Sequence, residues 1–352
     1  MSAPLVSVLM CTYNDMQWLP TSIDSVLAQS LADLEFVIVD DGSTDGTPEL
    51  LAATARRDPR VQVERIKHGR PARALNHGLG LVRGELIARL DADDWAHPER
   101  LEAQLAHLRA HPEVGIIGST IEKMDEDGRV EGPTGRPLDD ATIRFKSLLW
   151  CPFTSSSVTM RREVLERARL RYDETLRGSE DYDFFARVLD HTRSAALDRP
   201  LARYRVRAGG FSRRNRDEFE AIAVDIAGGV IARALPGFAT DAAEVASLRA
   251  AFHGMGRARP PAGRAGTAVA GRYLDLLDAF CAGPLDDRER VGLRAAEARR
   301  FVHTLDPSPD PARLRLLMRL TRMDRGFARA WWRAWRRRRS WRGARLRRPV
   351  HR

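Results

Sequence analysis

Short apolar runs alternate with segments of helical period over the first half of the chain. Leu5 to Met10 is apolar enough to predict a buried strand, and after Pro20 the residues Ile23, Val26 and Leu27 recur at helical spacing. Phe36 to Val39 predicts a second strand that enters the turn-rich Asp40-Asp41-Gly42-Ser43-Thr44-Asp45-Gly46. A helix over Thr47 to Arg57, a strand over Val61 to Ile66 and a helix from Pro71 to Val82 follow, with Pro71 near the first turn, where its missing N–H costs nothing. Leu86 to Leu90 predicts a strand before Asp91-Ala92-Asp93-Asp94. Next come a helix with Leu101, Leu105 and Leu108 on one face, a strand at Val114 to Gly118 and a hairpin around Asp125 to Gly128. Strands alternating with helices imply βαβ units and an α/β sheet.

Beyond Phe211 the strand-like runs stop. Ala, Arg and Leu dominate at helical spacing up to Leu320, and Gly and Pro clusters at 235–237, 254–266 and 306–311 divide this half into several helices. The expected organisation is an α/β domain over 1–212, a helical region over 213–324 and an Arg/Trp-rich tail over 325–352. In the tail, Phe327, Trp331 and Trp335 recur every four residues, so a helix would line them up as one aromatic stripe flanked by Arg329, Arg333, Arg336 and Arg337. Such a helix suits an anionic bilayer surface; the alternative is that the stripe packs on the helical half.

Composition changes this picture in two places. The 352 residues carry a net charge of +10, yet residues 325–352 hold 12 arginines and no acidic residue, which leaves 46 basic against 48 acidic groups in the rest. The body is nearly neutral, so the charge does not point to a nucleic-acid partner. Cys11, Cys151 and Cys281 are far apart with no CxxC pair, which argues against a disulfide framework or zinc site and for a reduced setting. No charged segment precedes the apolar N-terminal stretch, and no run approaches the roughly 18 apolar residues needed to cross a bilayer. The expected location is cytoplasmic, peripheral on the inner face of the cell membrane.

Candidate chemistry lies in three acidic loops. Asp40 and Asp41 fall at the carboxyl end of a predicted parallel strand, where open α/β sheets bind ligands. The first strand, ending in Cys11-Thr12-Tyr13-Asn14, would lie beside it and offer an aromatic face and hydrogen-bonding groups suited to a nucleobase. Asp91 and Asp93 follow another strand; two carboxylates on one side suit Mg2+ or Mn2+, a hard ion that keeps oxygen ligands and completes its shell with water and phosphate. Gly178-Ser179-Glu180-Asp181 precedes a helix carrying Phe184, Phe185, Val188 and Leu189. A carboxylate there could act as a general base toward a sugar hydroxyl. Each loop alone is compatible with an acidic turn or cap.

Together these residues resemble the family 2 glycosyltransferases of the GT-A fold. The resemblance rests on VSVLMCTYN at 6–14, FVIVDDGSTDGT at 36–47, ALNHG at 74–78, GELIARLDADDWAHPERL at 84–101 and GSEDYDFFARV at 178–188, and covers roughly the first 210 residues. It implies a Rossmann-like, mostly parallel sheet flanked by helices, and inverting transfer from a nucleotide-activated sugar. Thr12, Tyr13, Asn14, Asp41, Asn76 and Asp91 would contact the nucleotide, Asp91 and Asp93 the metal, and Asp181, beside Glu180, would supply the base. Many members have Arg where this chain has Leu75, which leaves one diphosphate contact to Arg70 or Arg73. Tyr204-Arg205-Val206-Arg207, with Ser212 after it, resembles the family's loop near the diphosphate.

The QxxRW motif and membrane helices of the processive synthases are missing from the sequence, which favours addition of a single sugar. The expected acceptor is a hydroxyl of a saccharide or lipid-linked saccharide. UDP is the default donor nucleotide, with Asp41 equally able to pair with a thymine imide and a guanine donor also compatible. The rival readings are a sugar-nucleotide pyrophosphorylase, which would carry a Gly-rich basic loop where Cys11 to Asp15 stands, and a non-catalytic binding protein with a nucleic-acid-binding tail.

Overall fold

A computed structural model describes residues 3–134, 138–207, 209, 215–252, 260, 263–302, 305 and 310–345, with backbone alone for 337–345. The chain divides into two compact units: residues 1–147 with 151–226, and residues 148–150 with 227–352.

In the first unit, β1 (Val6–Thr12), β2 (Leu34–Asp40), β3 (Val61–Arg65) and β4 (Leu86–Arg89) form parallel ladders in the order β3-β2-β1-β4. The helices α1 (Leu19–Leu27), α2 (Thr47–Arg57), α3 (Pro71–Leu79) and α4 (Arg100–Ala110) alternate with them. Side chains alternate faces with the period of the strand. Val6, Val8, Met10, Phe36 and Ile38 pack on one side with Leu19, Ile23, Leu51, Leu101 and Leu105. Leu9, Val37, Val39 and Ile87 pack on the other with Ala72, Leu75, Leu79, Phe184 and Phe185. Each Val, Leu, Ile, Met or Phe among them contributes about 1.5–3 kcal/mol by leaving water, and a one-residue slip of a strand would turn its set to the other face, so the register is strongly fixed.

The sheet continues through β8 (Thr159–Arg161), β6 (Val114–Met124), β9 (Arg193–Arg205) and β5 (Trp95–Ala96), with β7 (Val130–Thr134) paired to β6. β6 runs six residues past its expected end at Gly118, to a turn in which Gly128 takes a φ of +82° and β7 returns as a hairpin. β8 and β9 escaped the sequence reading. β8 lies antiparallel between β4 and β6, so the sheet is mixed beyond β4 rather than parallel throughout. The helices α5 (Asp140–Ser147), α6 (Arg162–Arg167) and α7 (Glu180–Leu189) complete the layers. α8 (Arg216–Ala234) runs across the division at residue 226.

The second unit contains α9 (Ala242–Phe252), α10 (Gly263–Cys281), α11 (Asp287–Arg300), α12 (Pro311–Met323) and α13 (Phe327–Arg345). Its centre stacks Phe252 on Tyr273 at 3.8 Å. Buried Arg300 donates to the Tyr273 hydroxyl (2.8 Å), Glu297 (2.9 Å) and the Phe252 carbonyl (2.6 Å). The expected aromatic stripe is largely spent here: Phe327 is fully buried, and the Trp331 indole donates to the Leu305 carbonyl at 2.6 Å. Trp332, outside the stripe, is 48% exposed and stacks on Trp335. Among the described residues no helix is long and apolar enough to cross a membrane.

Candidate active site

The carboxyl ends of β1, β2 and β4 lie at one edge, beside the point where the strand order turns back on either side of β1, which is where open α/β sheets form ligand crevices. A cleft of about 660 Å3 opens there, lined by Thr12, Tyr13, Asp41, His68, Arg70 and Arg177 among others. A second, of about 280 Å3, is lined by Arg89, Asp91, Asp93, Glu180 and Asp181. Cys11, Asp15, Pro71 and Arg207 line both, so the two are halves of one groove.

The larger half is built by loops that bind one another. Asn14 takes a left-handed φ of 55°; its N–H donates to Ser43 Oγ at 2.9 Å and its Oδ1 accepts from the Thr44 N–H at 2.8 Å. Asparagine tolerates this backbone because its short amide bonds locally. Asn14 therefore joins the β1 and β2 loops, and the groove wall is left to its neighbours. The Tyr13 ring, 41% exposed, stacks on His68 at 3.8 Å. Asp41 accepts from the Gly69 N–H at 2.9 Å and lies 3.0 Å from His68 Nδ1, so its carboxylate is fixed at the floor.

Asn76 behaves differently from Tyr13 and Asp41. Its amide donates to the Tyr172 carbonyl (2.9 Å) and Glu174 (2.8 Å) and accepts from the Tyr172 N–H (2.8 Å). Saturated by the 172–174 loop, it is not among the residues lining either half. Its neighbour Leu75 lines the smaller half. Arg70, which lines the larger, donates to the Thr175 carbonyl at 3.1 Å.

In the smaller half a buried cation organises the acids. Arg89, 4% exposed on β4, donates to the Leu9 carbonyl (3.2 Å) and to Asp91 Oδ1 (3.0 Å). Asp93 pairs with Arg207 Nε at 2.8 Å, and Arg207 also reaches Asp15 at 3.4 Å. Burial pushes the Asp93 carboxyl up to about 6, with Arg207 opposing and Asp91 and Asp15 adding to the rise. Asp94 turns inward: it accepts from the Arg205 N–H at 2.8 Å and from Ser156, whose Oγ also accepts from the Asp91 N–H at 3.0 Å. Burial raises the Asp94 carboxyl well above its ordinary range.

Glu180 and Asp181 open α7 immediately after Ser179, which takes a left-handed φ of 56°. A side chain at Gly178 would strike the Phe219 ring, so the glycine is required by close approach. Asp181 Oδ2 accepts from Ser155 Oγ, while its Oδ1 is buried with no hydrogen-bond partner among the described residues. Burial raises the Asp181 carboxyl, and the Arg89 guanidinium is the chief opposing influence. Glu180 is pushed up to about 7 by burial and then by the Asp181 charge. The structure thus gathers Asp91, Asp93, Glu180 and Asp181 around one half-groove and Thr12, Tyr13 and Asp41 around the other. Ser212 lies outside the described residues.

Arg89, Ser155, Ser156 and Asp15 went unnoticed in the sequence. The available signal was physical: an arginine inside an apolar strand needs a buried acid, and a cluster of acids needs a cation.

Residues 7–169 match the family model described as glycosyl transferase family 2. The chain is 33% identical over 219 residues to the putative glycosyltransferase EpsE of Bacillus subtilis, covering 61% of this chain and 77% of that protein. The chain belongs to glycosyltransferase family 2. It is also 35% identical over 227 residues to the succinoglycan biosynthesis protein ExoO of Rhizobium meliloti, which is 60% of this chain and 63% of that protein. Among solved structures, S. aureus TarS 1-349 in complex with UDP-GlcNAc superimposes with a TM-score of 0.55 at 17% identity, over 92% of this chain and 91% of that one. The mannosyltransferase PcManGT from Pyrobaculum calidifontis, in complex with GDP-Man and Mn2+, gives 0.51 at 20% identity, over 93% and 88%. These likenesses establish the GT-A fold for this family 2 chain.

The residues present fit a divalent ion. Asp91 and Asp93 line the same half-groove, and the Arg207 guanidinium already rests on Asp93 and Asp15 as a stand-in cation. The described residues contain no cluster of three or more His, Cys, Asp or Glu that could hold a metal, so Asp91 and Asp93 would supply at most two carboxylates, and water and phosphate would have to complete the shell.

Proposed function

We propose that this family 2 chain transfers one sugar from a nucleoside-diphosphate sugar, with UDP the default nucleotide, to a hydroxyl of a saccharide or lipid-linked saccharide, inverting the anomeric carbon. The observation that carries the reading is the state of Asp181. One oxygen is anchored by Ser155, and the other is buried beside the groove with no hydrogen-bond donor to it among the described residues. An acceptor hydroxyl presented to Oδ1 would lose its proton there as its oxygen attacks the anomeric carbon from the face opposite the diphosphate. A general base of this kind contributes typically ~100- to 10,000-fold. It must be ionised to act, and Arg89 opposes the effect of burial on its charge. Glu180, adjacent and pushed up to about 7, is about half ionised at neutral pH.

The larger half-groove suits the nucleoside: Tyr13 and His68 offer a stacked aromatic face, and Asp41 an acceptor for a base or ribose donor. Asp91 and Asp93 would hold Mg2+ or Mn2+. When bound, such an ion supplies Lewis-acid stabilisation of the departing diphosphate. Arg70, Arg177 and Arg207 line the same groove and would add positive charge. The finer placement at an anionic membrane surface draws support from Trp332, Arg329, Arg333 and Arg336, all exposed on one helix.

Incubation with a panel of nucleotide sugars, Mn2+ and candidate acceptors, followed by NMR of the product, tests the reading. Inverted configuration at the new linkage is expected. Retained configuration would overturn the single displacement.

A further inference from the structure

Each carboxylate of the Asp91/Asp93 pair is held by its own arginine, and the two arginines differ in whether they can leave. Arg89 is buried within the sheet and also bonded to the Leu9 carbonyl. Arg207 is 23% exposed, pairs with Asp93 at 2.8 Å and Asp15 at 3.4 Å, and lies 4.5 Å over the Trp18 ring. The backbone that carries it is pinned. The Arg205 N–H bonds Asp94, its guanidinium bonds the Asp93, Asp125 and Glu126 carbonyls, and the Val206 N–H donates to the Met124 carbonyl. Rotation about the long Arg207 side chain is thus enough to change its partner. Its guanidinium stands where the two halves of the groove meet.

We propose that Arg207 is a resident counter-cation. In the ligand-free protein it neutralises Asp93 and Asp15; when a divalent ion takes Asp93, Arg207 transfers to the donor's diphosphate. This rests on the proposed use of Asp93 for the metal and deepens it. An ion arriving alone must displace a guanidinium that gains no new partner, so it binds weakly. An ion arriving with a nucleoside diphosphate gives that guanidinium an anion to hold. Metal and nucleotide binding are therefore positively linked, and by reciprocity each raises affinity for the other by the same factor.

The test is Mn2+ binding to the intact protein with no nucleotide present, followed by electron paramagnetic resonance of the free ion, in wild type, Arg207→Gln, Arg207→Lys and Asp93→Asn. Arg207→Gln should bind Mn2+ about tenfold more tightly than wild type, a factor corresponding to one partly buried ion pair. Arg207→Lys should restore the weaker wild-type value. In saturating Mn2+, Arg207→Gln should bind UDP about tenfold more weakly, and the linkage between Mn2+ and UDP should shrink by a similar factor. An Mn2+ affinity within twofold of wild type for Arg207→Gln, or undiminished UDP affinity, would overturn the proposal while leaving Asp181 untouched. Unchanged Mn2+ binding by Asp93→Asn would overturn the metal site itself.

Discussion

Replacing Glu180 by Gln tests the electrostatic description of the site without touching the oxygen assigned to proton removal. The Glu180 carboxyl sits at the start of α7 and is raised from 4.5 to about 7 by burial and by the Asp181 charge. A carboxyl raised in the folded state stabilises most when protonated in both states. Its contribution is complete below about pH 4.5 and is lost as pH rises through 7. At pH 8 the folded protein must hold a charge it disfavours by roughly 2.5 pKa units, which after partial solvent screening is on the order of 2–3 kcal/mol. Glutamine keeps the shape and removes that charge. Thermal unfolding with metal chelated should show Glu180→Gln more stable than wild type by about 4–12 °C at pH 8 for a unit of this size, with little difference at pH 4.5. Equal stability at both pH values, or a loss at pH 8, would refute the argument that the folded site disfavours the Glu180 charge.

Ser155→Ala removes the hydroxyl that anchors Asp181 Oδ2, so the base should become harder to ionise; the acidic limb of the kcat/KM profile should move to higher pH, with nucleotide affinity unchanged by calorimetry. Asn76→Ala cuts three hydrogen bonds to the 172–174 loop and should cost about 1–3 kcal/mol in urea unfolding with donor affinity nearly intact; a selective loss of nucleotide binding would return Asn76 to the nucleotide site. Truncation before Phe327 should leave the first unit folded and binding nucleotide, but should cost the second unit about 3–5 kcal/mol through loss of a fully buried Phe, and should abolish sedimentation with anionic vesicles at physiological salt.

The parallel part of the sheet was legible because Leu9, Phe36 to Val39 and Ile87 are buried on both faces and leave continuous apolar runs. β8 and β9 were not, for the same reason reversed. Three residues, Thr159–Arg161, carry no periodic signal, and β9 interleaves Arg193, Asp198, Arg199 and Pro200 with register shifts against β6. The acidic loops could be read because local turns place their side chains at strand ends. What held them was less legible: Ser155 and Arg207 meet Asp181 and Asp93 through tertiary contact alone, whereas Arg89 bonds Asp91 only two residues along the chain. Asn76 matched a motif, yet its partners lie almost a hundred residues away and consume its whole amide. The tail's fourfold aromatic spacing marked a helix face correctly, but period cannot tell a face turned to lipid from one turned to its own core, and Phe327 and Trp331 took the latter.

The most direct test of the account is single-turnover transfer by Asp181→Asn at saturating donor and Mn2+, with UDP binding measured in parallel. Asparagine keeps an oxygen toward Ser155 and cannot accept the proton. The account predicts a transfer step slower by about 100- to 10,000-fold with nucleotide affinity within a few-fold of wild type. A variant that transfers at near wild-type rate, particularly if Glu180→Gln is the one that fails, would contradict it.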